Sequence, residues 1–597
     1  MKNLKIKFFV CGDSIAAENP KLVKTYNELL QSQLDNVSQP SLLDFESDNV
    51  IPRDDTVTLS LLTSISSFPG SFIFNPSYWT LKTFYSTYGK YNDYITWLSC
   101  EHEAIWKIKD ILSNIESENP NVLCFGFYTW NVDIYINFIK HIKEKYPHII
   151  IIGGGPSVRD DYVLKVLDFA IYGEGEEGFT HLLDALIEDE LNFIEIPNLI
   201  YKKNNQLITN TYKIFKHKDY PELPSPYLSN KSEIKKSVNE YKNKHKSVLP
   251  PSIGWELNRG CPYSCAFCDW SSGLHNKVSI RKHDWKKELD FILELKCIIT
   301  NNDANWGMLK EDLKVIDYLL EKVRSSVISP FFTFPMQAVA WSKLNKSIVY
   351  EAVGKILNEH PTYGVKVAIQ DINPEVLKAI ARPDVPWEEH KQYLLDLKSK
   401  YPFTIFTVEL IVGLPKQTLE NWIEMLCEFD DSFKPRWLFC AHWQLLPQSP
   451  AYKKEYQEKN NMISIKTRII KDGINLKLDS HNTVDLYKSK TQIWLTSTIL
   501  YEDKPNGFRD NLMKIATGEI YNSKFFYPEY AEVTYRELYS KLKKGLDRFV
   551  DSQYDQMLLN KKDEWMYPNI IYEGTMYSFK SFFHRPGIIT KLVENTI

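Results

Sequence analysis

Residues 256–268 read ELNRGCPYSCAFC, and the three cysteines of this segment are the most informative feature of the chain. Cys261, Cys265 and Cys268 have the spacing CxxxCxxC and follow a candidate strand at 253–257. Three thiolates on one short loop can bind three corners of an iron–sulfur cube and leave the fourth iron without a protein ligand. A substrate-activating metal centre needs such an open position, so the segment predicts a reactive metal site.

A structural zinc site is the competing interpretation of the cysteine loop, residues 261–268. Structural zinc normally has four protein ligands, and no further cysteine or histidine lies at a usual spacing, although His275 and His283 follow the loop. The chain has nine cysteines, and this odd number argues against a disulfide framework in a chain that looks intracellular. The six cysteines outside the loop are scattered: Cys11, Cys100, Cys124, Cys297, Cys427 and Cys440.

Candidate strands alternate with helical patterns from residue 252 onward. The strands fall at 253–257, 297–300, 331–334, 365–369, 405–412 and 437–444. Six βα units predict a (β/α)6 partial or full parallel barrel of the TIM type, in which the active site lies at the carboxyl ends of the strands. The following part of the chain is rich in aromatic residues and predicts a mainly helical cap.

A second α/β series precedes the barrel. Apolar runs at 122–127, 149–152 and 166–172 alternate with helical patterns, and the last two are followed by the glycine-rich segments 153–156 and 173–176. This pattern predicts a doubly wound, Rossmann-like sheet. Such sheets bind ligands in the crevice beyond the carboxyl ends of their strands.

Composition is that of an ordinary globular protein. The chain has 597 residues, of which 43% are hydrophobic, and 72 Lys and Arg against 76 Asp and Glu give a net charge of −4, which argues against nucleic-acid binding over the whole molecule. No apolar run approaches the ~20 residues of a membrane helix, and no signal peptide is evident, so we expect a cytoplasmic protein with no membrane partner. The predicted divisions are an N-terminal segment with the Rossmann-like domain at 1–230, a lysine-rich linker or surface helix at 231–250, the barrel at 251–470 and the cap at 471–597.

The cysteine loop, with an aromatic residue before its last cysteine at the start of a βα series, resembles the radical SAM superfamily. The resemblance implies that Cys261, Cys265 and Cys268 bind a 4Fe–4S cluster, whose open iron binds S-adenosylmethionine (SAM), and that Phe267 lies near the adenine. It also implies a flavodoxin- or ferredoxin-type reductant, because only the reduced cluster cleaves SAM to the 5′-deoxyadenosyl radical.

The same resemblance suggests further SAM contacts. The candidates are Asp303 and Asn305 in the turn DANWG, which replaces the Gly-Gly-Glu type turn of the family, Gln370 at a ribose-binding position, and Glu409 and Gly413 in the fifth-strand segment that lines the adenine. For Gln370 and Glu409 a structural role is an equal alternative. No acid–base pair stands out, so no catalytic side chain is assigned.

The doubly wound domain before the barrel resembles the cobalamin-binding domain of cobalamin-dependent radical SAM enzymes. The matching residues follow the three strands: Tyr128, Thr129 and Trp130; Gly153, Gly154, Gly155 and Pro156; and Gly173, Glu174, Gly175 and Glu176. Glycines let the backbone approach a bulky nucleotide tail, and helix N-termini favour its phosphate. The domain has no Asp-x-His-x-x-Gly motif, so the resemblance implies base-off cobalamin without a histidine ligand, with Thr129, Trp130 or the segment 68–79 bordering the lower face.

Together these resemblances imply a cobalamin-dependent radical SAM C-methyltransferase. It would use methylcobalamin and the 5′-deoxyadenosyl radical to place a methyl group on an unactivated carbon of a peptide, such as the precursor of a ribosomal peptide natural product (RiPP), or of another natural product. The segments 68–79 and 303–307 look like a subgroup with such substrates. The enzymatic alternative is a radical rearrangement, cyclisation or ring contraction without methyl transfer. An iron–sulfur electron-transfer protein and a cobalamin carrier are the alternatives from other classes.

Overall fold

The residues that the computed structural model describes run, with short gaps, through 2–9, 76–128, 131–245, 251–325, 346–402, 406–417 and 446–460, with short stretches elsewhere. The chain divides into two units. The first consists of Met1–Gly260, Ser272–Ala304 and Asp472–Lys490, and the second of Cys261–Ser271, Asn305–Lys471 and Thr491–Ile597. The first unit contains the predicted Rossmann-like sheet, and the second contains the cysteine loop and the later barrel strands.

The first unit is an α/β structure. Its strands are β1 (Leu4–Phe9), β2 (Ser14–Ile15), β3 (Ile73–Phe74), β4 (Ile95–Trp97), β5 (Ile105–Trp106), β6 (Val122–Gly126), β7 (Ile150–Gly154), β8 (Phe169–Ile171), β9 (Leu199–Lys203), β10 (Gln206–Thr209), β11 (Ser252–Trp255), β12 (Asn258–Arg259), β13 (Ser279–Ile280) and β14 (Ile298–Asn301). Its helices are α1 (Pro76–Tyr88), α2 (Ile108–Glu118), α3 (Val132–Lys145), α4 (Asp161–Val166), α5 (Glu176–Glu188), α6 (Pro226–Ser229), α7 (Lys231–His245) and α8 (Trp285–Glu294), with a 3-10 turn at Asn92–Tyr94.

A seven-stranded sheet confirms the doubly wound prediction. Its order is β10-β9-β8-β7-β6-β1-β4, in which β4, β1, β6, β7 and β8 are parallel and β9 and β10 are antiparallel additions. The four residues at 122–125 are all at most 4% exposed, as expected for a parallel strand covered on both faces. The strand predicted at 166–172 is shorter than expected, because α4 extends to Val166.

Helix α3 shows how the sequence builds the layer that covers this sheet. Tyr135, Phe138, Ile139 and Ile142 recur at helical spacing, and each is at most 1% exposed. They pack in one cluster with the sheet residues Leu123, Phe125 and Ile151. Burial of this stripe, rather than helix propensity, accounts for most of the stability of such a helix.

The lysine-rich segment is a packed helix, which agrees with the surface-helix alternative and not with the linker. Residues 231–245 form α7, whose Ile234, Val238 and Tyr241 are at most 5% exposed. Lys242 donates to the backbone oxygen of Leu295 at 2.8 Å. The lysines occupy the remaining faces, so composition concealed an amphipathic helix.

The other strands of the described first unit form three smaller sheets. Strands β14, β11 and β3 form a parallel sheet, and β12 pairs with β13 in an antiparallel ladder. The first two predicted barrel strands therefore exist and are parallel neighbours. Strand β2 pairs with β5.

The described part of the second unit contains the later βα units. Its helices are α9 (Lys310–Ser325), α10 (Lys346–Glu359), α11 (Pro374–Ala379), α12 (Trp387–Lys400) and α13 (Lys454–Lys459), with a 3-10 turn at Pro450–Tyr452. Strands β15 (Val365–Gln370), β16 (Phe406–Val412) and β17 (Trp437–His442) are parallel neighbours, as the barrel prediction requires. The strand predicted at 331–334 lies outside the described residues.

The described elements of the C-terminal part are strands, not the helices expected of a mainly helical cap. They are β18 (Met462–Leu478), β19 (Val484–Tyr501), β20 (Phe525–Phe526), β21 (Glu564–Trp565), β22 (Asn569–Tyr572) and β23 (Thr575–Ser578). Strand β20 pairs antiparallel with β17, and β22 pairs with β23. Among the helices that the structure describes, none has the length and apolar character needed to cross a bilayer.

Candidate functional site

The cysteine loop is held by its backbone at both sides of Ala266. The Ala266 amide donates to the Ile380 oxygen at 2.8 Å, and the Ala266 oxygen accepts from the Ala451 amide at 3.0 Å. A turn closes the loop, because the Cys268 amide donates to the Cys265 oxygen at 3.1 Å. These bonds fix the path of the backbone between the second and third cysteines.

An apolar seat lies beneath the loop. Ala266 is 1% exposed and packs with Val376, Leu377, Ile380, Leu414 and Ala451. Phe267, predicted to lie near adenine, is half-buried and packs against the same cluster. The seat is therefore assembled from α11, its C-terminal end and the segments that follow β16 and β17.

The three thiols are sheltered from water. Cys261 and Cys265 are 8% and 5% exposed, and Cys268 is half-buried. Burial raises the pKa of Cys268 to about 12, and the other two thiols add to the rise. Burial also raises the pKa of Cys261, and a hydrogen bond from Asn305 opposes that rise. The neutral thiols of Cys261 and Cys268 are therefore favoured without a metal, and a metal is the usual partner that stabilises thiolates at such a site.

Arg382 is a neighbour of the cysteine loop that the sequence did not reveal. Its Nη1 donates to Cys265 Sγ at 3.7 Å, and its Nη2 donates to the oxygen of Ala368 in β15 at 2.5 Å. The cation and the thiol are 117 residues apart in the chain. No local motif marks Arg382, so only the fold could identify it.

The turn 303–307 is divided between two roles. Asp303 is 0% exposed, and its Oδ1 accepts from the amides of Leu257 and Asn258 at 2.8 and 3.0 Å. It therefore fastens the segment before the cysteine loop to the end of β14, a role different from the predicted SAM contact. Asn305, in contrast, lies beside Cys261 as a candidate ligand residue should.

Trp306 has a buried donor in the same turn. Its side chain is 4% exposed, and among the described residues its Nε1 is one of the buried atoms without a hydrogen-bond partner. A buried indole N–H normally has an acceptor, since an unmade hydrogen bond costs about 1–3 kcal/mol. The orphaned donor fits a site whose acceptor belongs to a bound molecule.

Gln370 has an uncommon backbone conformation at the end of β15. Its φ is 71°, and the register between β15 and β16 shifts at this residue. A non-glycine residue at positive φ costs of order 1 kcal/mol or more, and such residues cluster at functional sites. Next to it, Asp371 accepts from Gln417 Nε2 at 2.6 Å, which joins the loops after β15 and β16.

The remaining predicted SAM residues are less defined. Glu409 lies in β16 and is half-buried. Gly413 lies outside the described residues, and so do the cobalamin candidates Thr129 and Trp130 and the histidines that follow the cysteine loop, His275 and His283. Within the described part of the chain, no group of three or more His, Cys, Asp or Glu side chains is gathered as a single metal ion would require.

The described members of the predicted cobalamin set follow three neighbouring strands of the seven-stranded sheet. The register pairs Gly126 with Gly154 and Gly153 with Ala170, so the carboxyl ends of β6, β7 and β8 are adjacent. Asn131, which the sequence did not mark, accepts from the Tyr128 amide at 2.9 Å and donates to the Gly126 oxygen at 3.0 Å. The loop after β6 is thereby fixed.

The glycines after β7 differ in what they accommodate. Gly155 has a φ of 91°, and a Cβ there would lie 2.6 Å from the oxygen of Phe127, so the turn itself requires glycine. A Cβ on Gly153 would lie 2.3 Å from Leu167 Cδ1. Among the described residues, a Cβ on Gly154 would meet nothing closer than the Ile171 oxygen at 3.8 Å, an ordinary van der Waals contact. Of the three glycines, Gly154 alone has room for an added Cβ among these residues.

The acidic loop, residues 173–176, is held by ion pairs. Arg259 pairs through Nη1 with Glu176, lies 3.6 Å from Glu174 Oε1, and donates from Nε to Glu256 Oε2 at 2.9 Å. Glu176 is only 3% exposed. Its carboxylate therefore stabilises the loop, whereas the sequence assigned it to cobalamin.

Glu174 is less completely satisfied. Burial raises its pKa to about 7, the charge of Arg259 opposes the rise, and Glu176 and Glu256 add to it. Its Oε2 is one of the buried atoms without a hydrogen-bond partner among the described residues. A buried acceptor at the ligand-binding edge of a doubly wound sheet fits a donor on a bound molecule.

A second layer of charges supports Arg259. Arg281, 5% exposed, lies 3.8 Å from Glu256 Oε2 and 3.9 Å from Glu288 Oε1. Glu288 also accepts from Trp255 Nε1 at 3.0 Å and from Ser225. The network is therefore continuous from the acidic loop to helix α8.

Parts of the chain are similar to known proteins in sequence. The family described as B12 binding domain matches residues 96–183. The chain is 26% identical over 367 residues to the cobalamin-dependent radical SAM methyltransferase TokK of Streptomyces tokunonensis, covering 59% of this chain and 50% of that protein. It is 24% identical over 382 residues to the 2-(S-pantetheinyl)-carbapenam-3-carboxylate methyltransferase of Streptantibioticus cattleyicolor, covering 62% and 53%.

A solved structure shares the fold over nearly the whole chain. The apo structure of the cobalamin-dependent S-adenosylmethionine radical enzyme OxsB superposes with a TM-score of 0.51 at 13% identity, covering 99% of this chain and 80% of that chain. The chain spans about half the length of the two curated relatives. The B12-binding domain match and these two relatives support the resemblance of the chain to cobalamin-dependent radical SAM enzymes, and the shared fold is consistent with it.

Proposed function

We propose that the protein is a cobalamin-dependent radical SAM C-methyltransferase that uses a 4Fe–4S cluster, SAM and cobalamin. The observation that carries the proposal is the cysteine loop, which presents three buried thiols on a backbone fixed at Ala266. A chain with only a cobalamin carrier function has no use for such a loop. When bound, the three cofactors supply the adenosyl radical and the methyl group; the protein supplies placement and shelter from water.

Cys261, Cys265 and Cys268 are the proposed cluster ligands. Burial disfavours the free thiolates of Cys261 and Cys268, so metal binding would release protons from these two thiols. Burial also limits the access of water and oxygen to the ligands. The apolar seat beneath Ala266 keeps the loop from adjusting, which favours one ligand geometry.

SAM is proposed to bind beside the turn 305–307 and the end of β15. Asn305 lies next to Cys261, and Trp306 Nε1 is a buried donor that a SAM oxygen or nitrogen would satisfy. Gln370 holds a costly backbone conformation at the carboxyl end of a barrel strand, where ligands bind. Phe267 and Glu409 stay candidates for the adenine.

Cobalamin is proposed to bind at the carboxyl edge of β6, β7 and β8. Gly154 leaves space for a close approach, and Glu174 Oε2 offers an acceptor for an amide N–H of the cofactor. Tyr128 follows β6, and a hydrogen bond from its amide to Asn131 fixes its position. Gly155, Gly173 and Glu176 shape the edge without needing to contact the ligand: the two glycines have positive φ, and Glu176 is engaged by Arg259.

The proposed substrate is a small natural-product intermediate with an unactivated carbon. One relative is named for a carbapenam carboxylate, which favours a small molecule over the peptide that the sequence patterns suggested. The shared family does not fix the outcome of the radical step. Methyl transfer is favoured because both curated relatives are named methyltransferases.

An isotope experiment tests the proposal. Reconstituted full-chain protein is incubated anaerobically with SAM carrying a trideuterated methyl group, dithionite and 2-(S-pantetheinyl)-carbapenam-3-carboxylate as the probe. We expect 5′-deoxyadenosine, a labelled methyl group on cobalamin, and a labelled methyl group on a carbon of the probe if it fits the site. A label on cobalamin without a label on the probe would support methyl transfer and show that this probe is not a substrate.

The alternatives give different products. An unlabelled product isomeric with the probe would show that the protein catalyses a rearrangement and not methyl transfer. Failure to form 5′-deoxyadenosine despite a full complement of iron would contradict radical SAM chemistry and favour an electron-transfer protein. Cys297→Ala is the matched control for Cys→Ala variants of the loop, since Cys297 is a buried thiol outside it.

A further inference from the structure

We propose that Arg382 is a positioning residue that sets the reduction potential of the iron–sulfur cluster by donating a hydrogen bond to the sulfur of Cys265. This inference rests on the proposed function, because it assumes that the cysteine loop binds the cluster. The inference goes beyond the proposed function because it assigns control of cluster reduction to one cation, which is far from the cysteine loop in sequence.

The geometry of Arg382 is fixed at three points. Nη2 donates to the Ala368 oxygen at 2.5 Å, Nη1 donates to Cys265 Sγ at 3.7 Å, and the backbone amide donates to the Leu377 oxygen at 2.9 Å. A guanidinium is planar and carries its donors in a rigid fork. Because one arm is held by the backbone of β15, the other arm is aimed at the sulfur.

The surroundings of the contact between Arg382 and Cys265 strengthen this interaction. Cys265 is 5% exposed, and Arg382 is half-buried, so the field between cation and sulfur is screened less than at the surface. The charge of Arg382 also acts on Cys261. Two of the three proposed ligands therefore lie in the field of one fixed cation.

The sign of the effect follows from the charges. Reduction adds one electron, taken from a reductant of the flavodoxin or ferredoxin class, and the added negative charge spreads onto the cysteine sulfurs. A cation that donates a hydrogen bond to a sulfur stabilises the reduced state more than the oxidised state. Hydrogen bonds to the sulfurs and local charge are established determinants of cluster potentials. Arg382 therefore raises the potential and eases reduction.

The test compares Arg382→Gln, Arg382→Lys and a surface control, Arg324→Gln. Arg324 pairs with Glu359 at a 62% exposed position in the same unit. Each full-chain protein is reconstituted, its iron and sulfide are counted, and the cluster is titrated with dithionite under EPR detection without SAM. At a fixed potential, Arg382→Gln is expected to lower the ratio of reduced to oxidised cluster about tenfold, which equals about 59 mV for a one-electron couple.

Arg382→Lys is expected to fall between Arg382→Gln and the wild type, because it keeps the charge and loses the fork. Arg324→Gln is expected to match the wild type. Wild-type and Arg382→Gln clusters with the same potential and the same iron content would overturn the proposal. A wild type that assembles no cluster would instead contradict the proposed function.

A measurement on the wild type covers the case in which Arg382→Gln does not assemble. Protein labelled with ¹⁵N only in arginine is reduced and studied by pulsed EPR for nitrogen hyperfine coupling. A ¹⁵N coupling in the wild type that disappears in Arg382→Lys supports the hydrogen bond. Absence of any ¹⁵N coupling in the assembled wild-type cluster overturns it.

Discussion

The cysteine loop and the acidic loop are both fixed in place, but by different forces. Around Ala266 the cysteine loop uses two backbone hydrogen bonds and an apolar seat. The acidic loop uses Arg259, surrounded by three carboxylates and supported by Arg281. The first uses no cysteine side chain to anchor the loop, whereas the second commits most of its side chains to the protein.

The two loops therefore differ in whether a substitution first affects activity or stability. Substitutions in the cysteine loop are expected to remove activity and preserve the fold, because the anchoring atoms belong to the backbone. Substitutions in the acidic loop network are expected to affect stability first, since buried charges depend on one another. Five substitutions test this contrast.

Cys265→Ala has the largest expected effect. Iron binding should fall below the wild-type content, and formation of 5′-deoxyadenosine should fall at least about 100-fold, since losing a ligand costs more than losing an outer-shell partner. The free energy of unfolding of the metal-free protein should change by no more than about 1 kcal/mol. Normal 5′-deoxyadenosine formation would show that Cys265 is not a ligand; Cys297→Ala should behave as the wild type.

Arg259→Ala should have the largest effect on stability. It leaves Glu174, Glu176 and Glu256 buried without their shared cation, which is expected to cost about 3–5 kcal/mol in unfolding free energy. Urea unfolding of the metal-free and cobalamin-free protein measures the loss. The control Arg324→Ala breaks an exposed pair and should cost no more than about 1 kcal/mol. Equal losses for the two variants would show that the network contributes no more than a surface pair.

Glu174→Gln should change the pH dependence of stability. The folded-state pKa of about 7 lies above the ordinary 4.5, so the folded protein binds this proton more tightly than the unfolded chain. The contribution of Glu174 is fully present below pH 4.5 and is lost as the pH rises to about 7. The variant should therefore remove a decline on the order of 2 kcal/mol over this window. Parallel pH profiles of unfolding free energy for variant and wild type would contradict the burial of Glu174.

Gly154→Ala and Gly155→Ala form a matched pair with the smallest expected effects. Gly155→Ala introduces a Cβ at positive φ against the Phe127 oxygen and should cost about 2 kcal/mol in stability. Gly154→Ala has room and should stay within about 0.5 kcal/mol of the wild type. If the open space over Gly154 receives cobalamin, Gly154→Ala should weaken cobalamin binding about tenfold, or about 1.4 kcal/mol. Unchanged cobalamin affinity in a folded Gly154→Ala protein would place the cofactor elsewhere.

The sequence predicted those features that are encoded locally. The alternation of apolar runs with helical stripes predicted β6, β7, β8 and the later parallel strands, because buried parallel strands read as continuous apolar segments. The many lysines of α7 leave a linker and a surface helix as equal alternatives, although the spacing of Ile234, Val238 and Tyr241 is a helical signal.

The residues that the sequence missed act over long separations. Arg382 and Cys265 meet only because the chain returns to the cysteine loop 117 residues later. The pairing of Arg259 with Glu176 has the same origin, and so does the use of Asp303 as a backbone clamp. The pattern of a single sequence shows which residue types are present, but it does not show which distant residue each of them binds.

The most direct test of the central claim is the EPR spectrum of the reduced cluster before and after SAM is added. If Cys261, Cys265 and Cys268 bind three irons and leave the fourth to SAM, the reconstituted wild-type protein should contain about four irons per chain. Its reduced spectrum should then change on addition of SAM. A fully assembled cluster whose spectrum stays the same with saturating SAM would contradict the account.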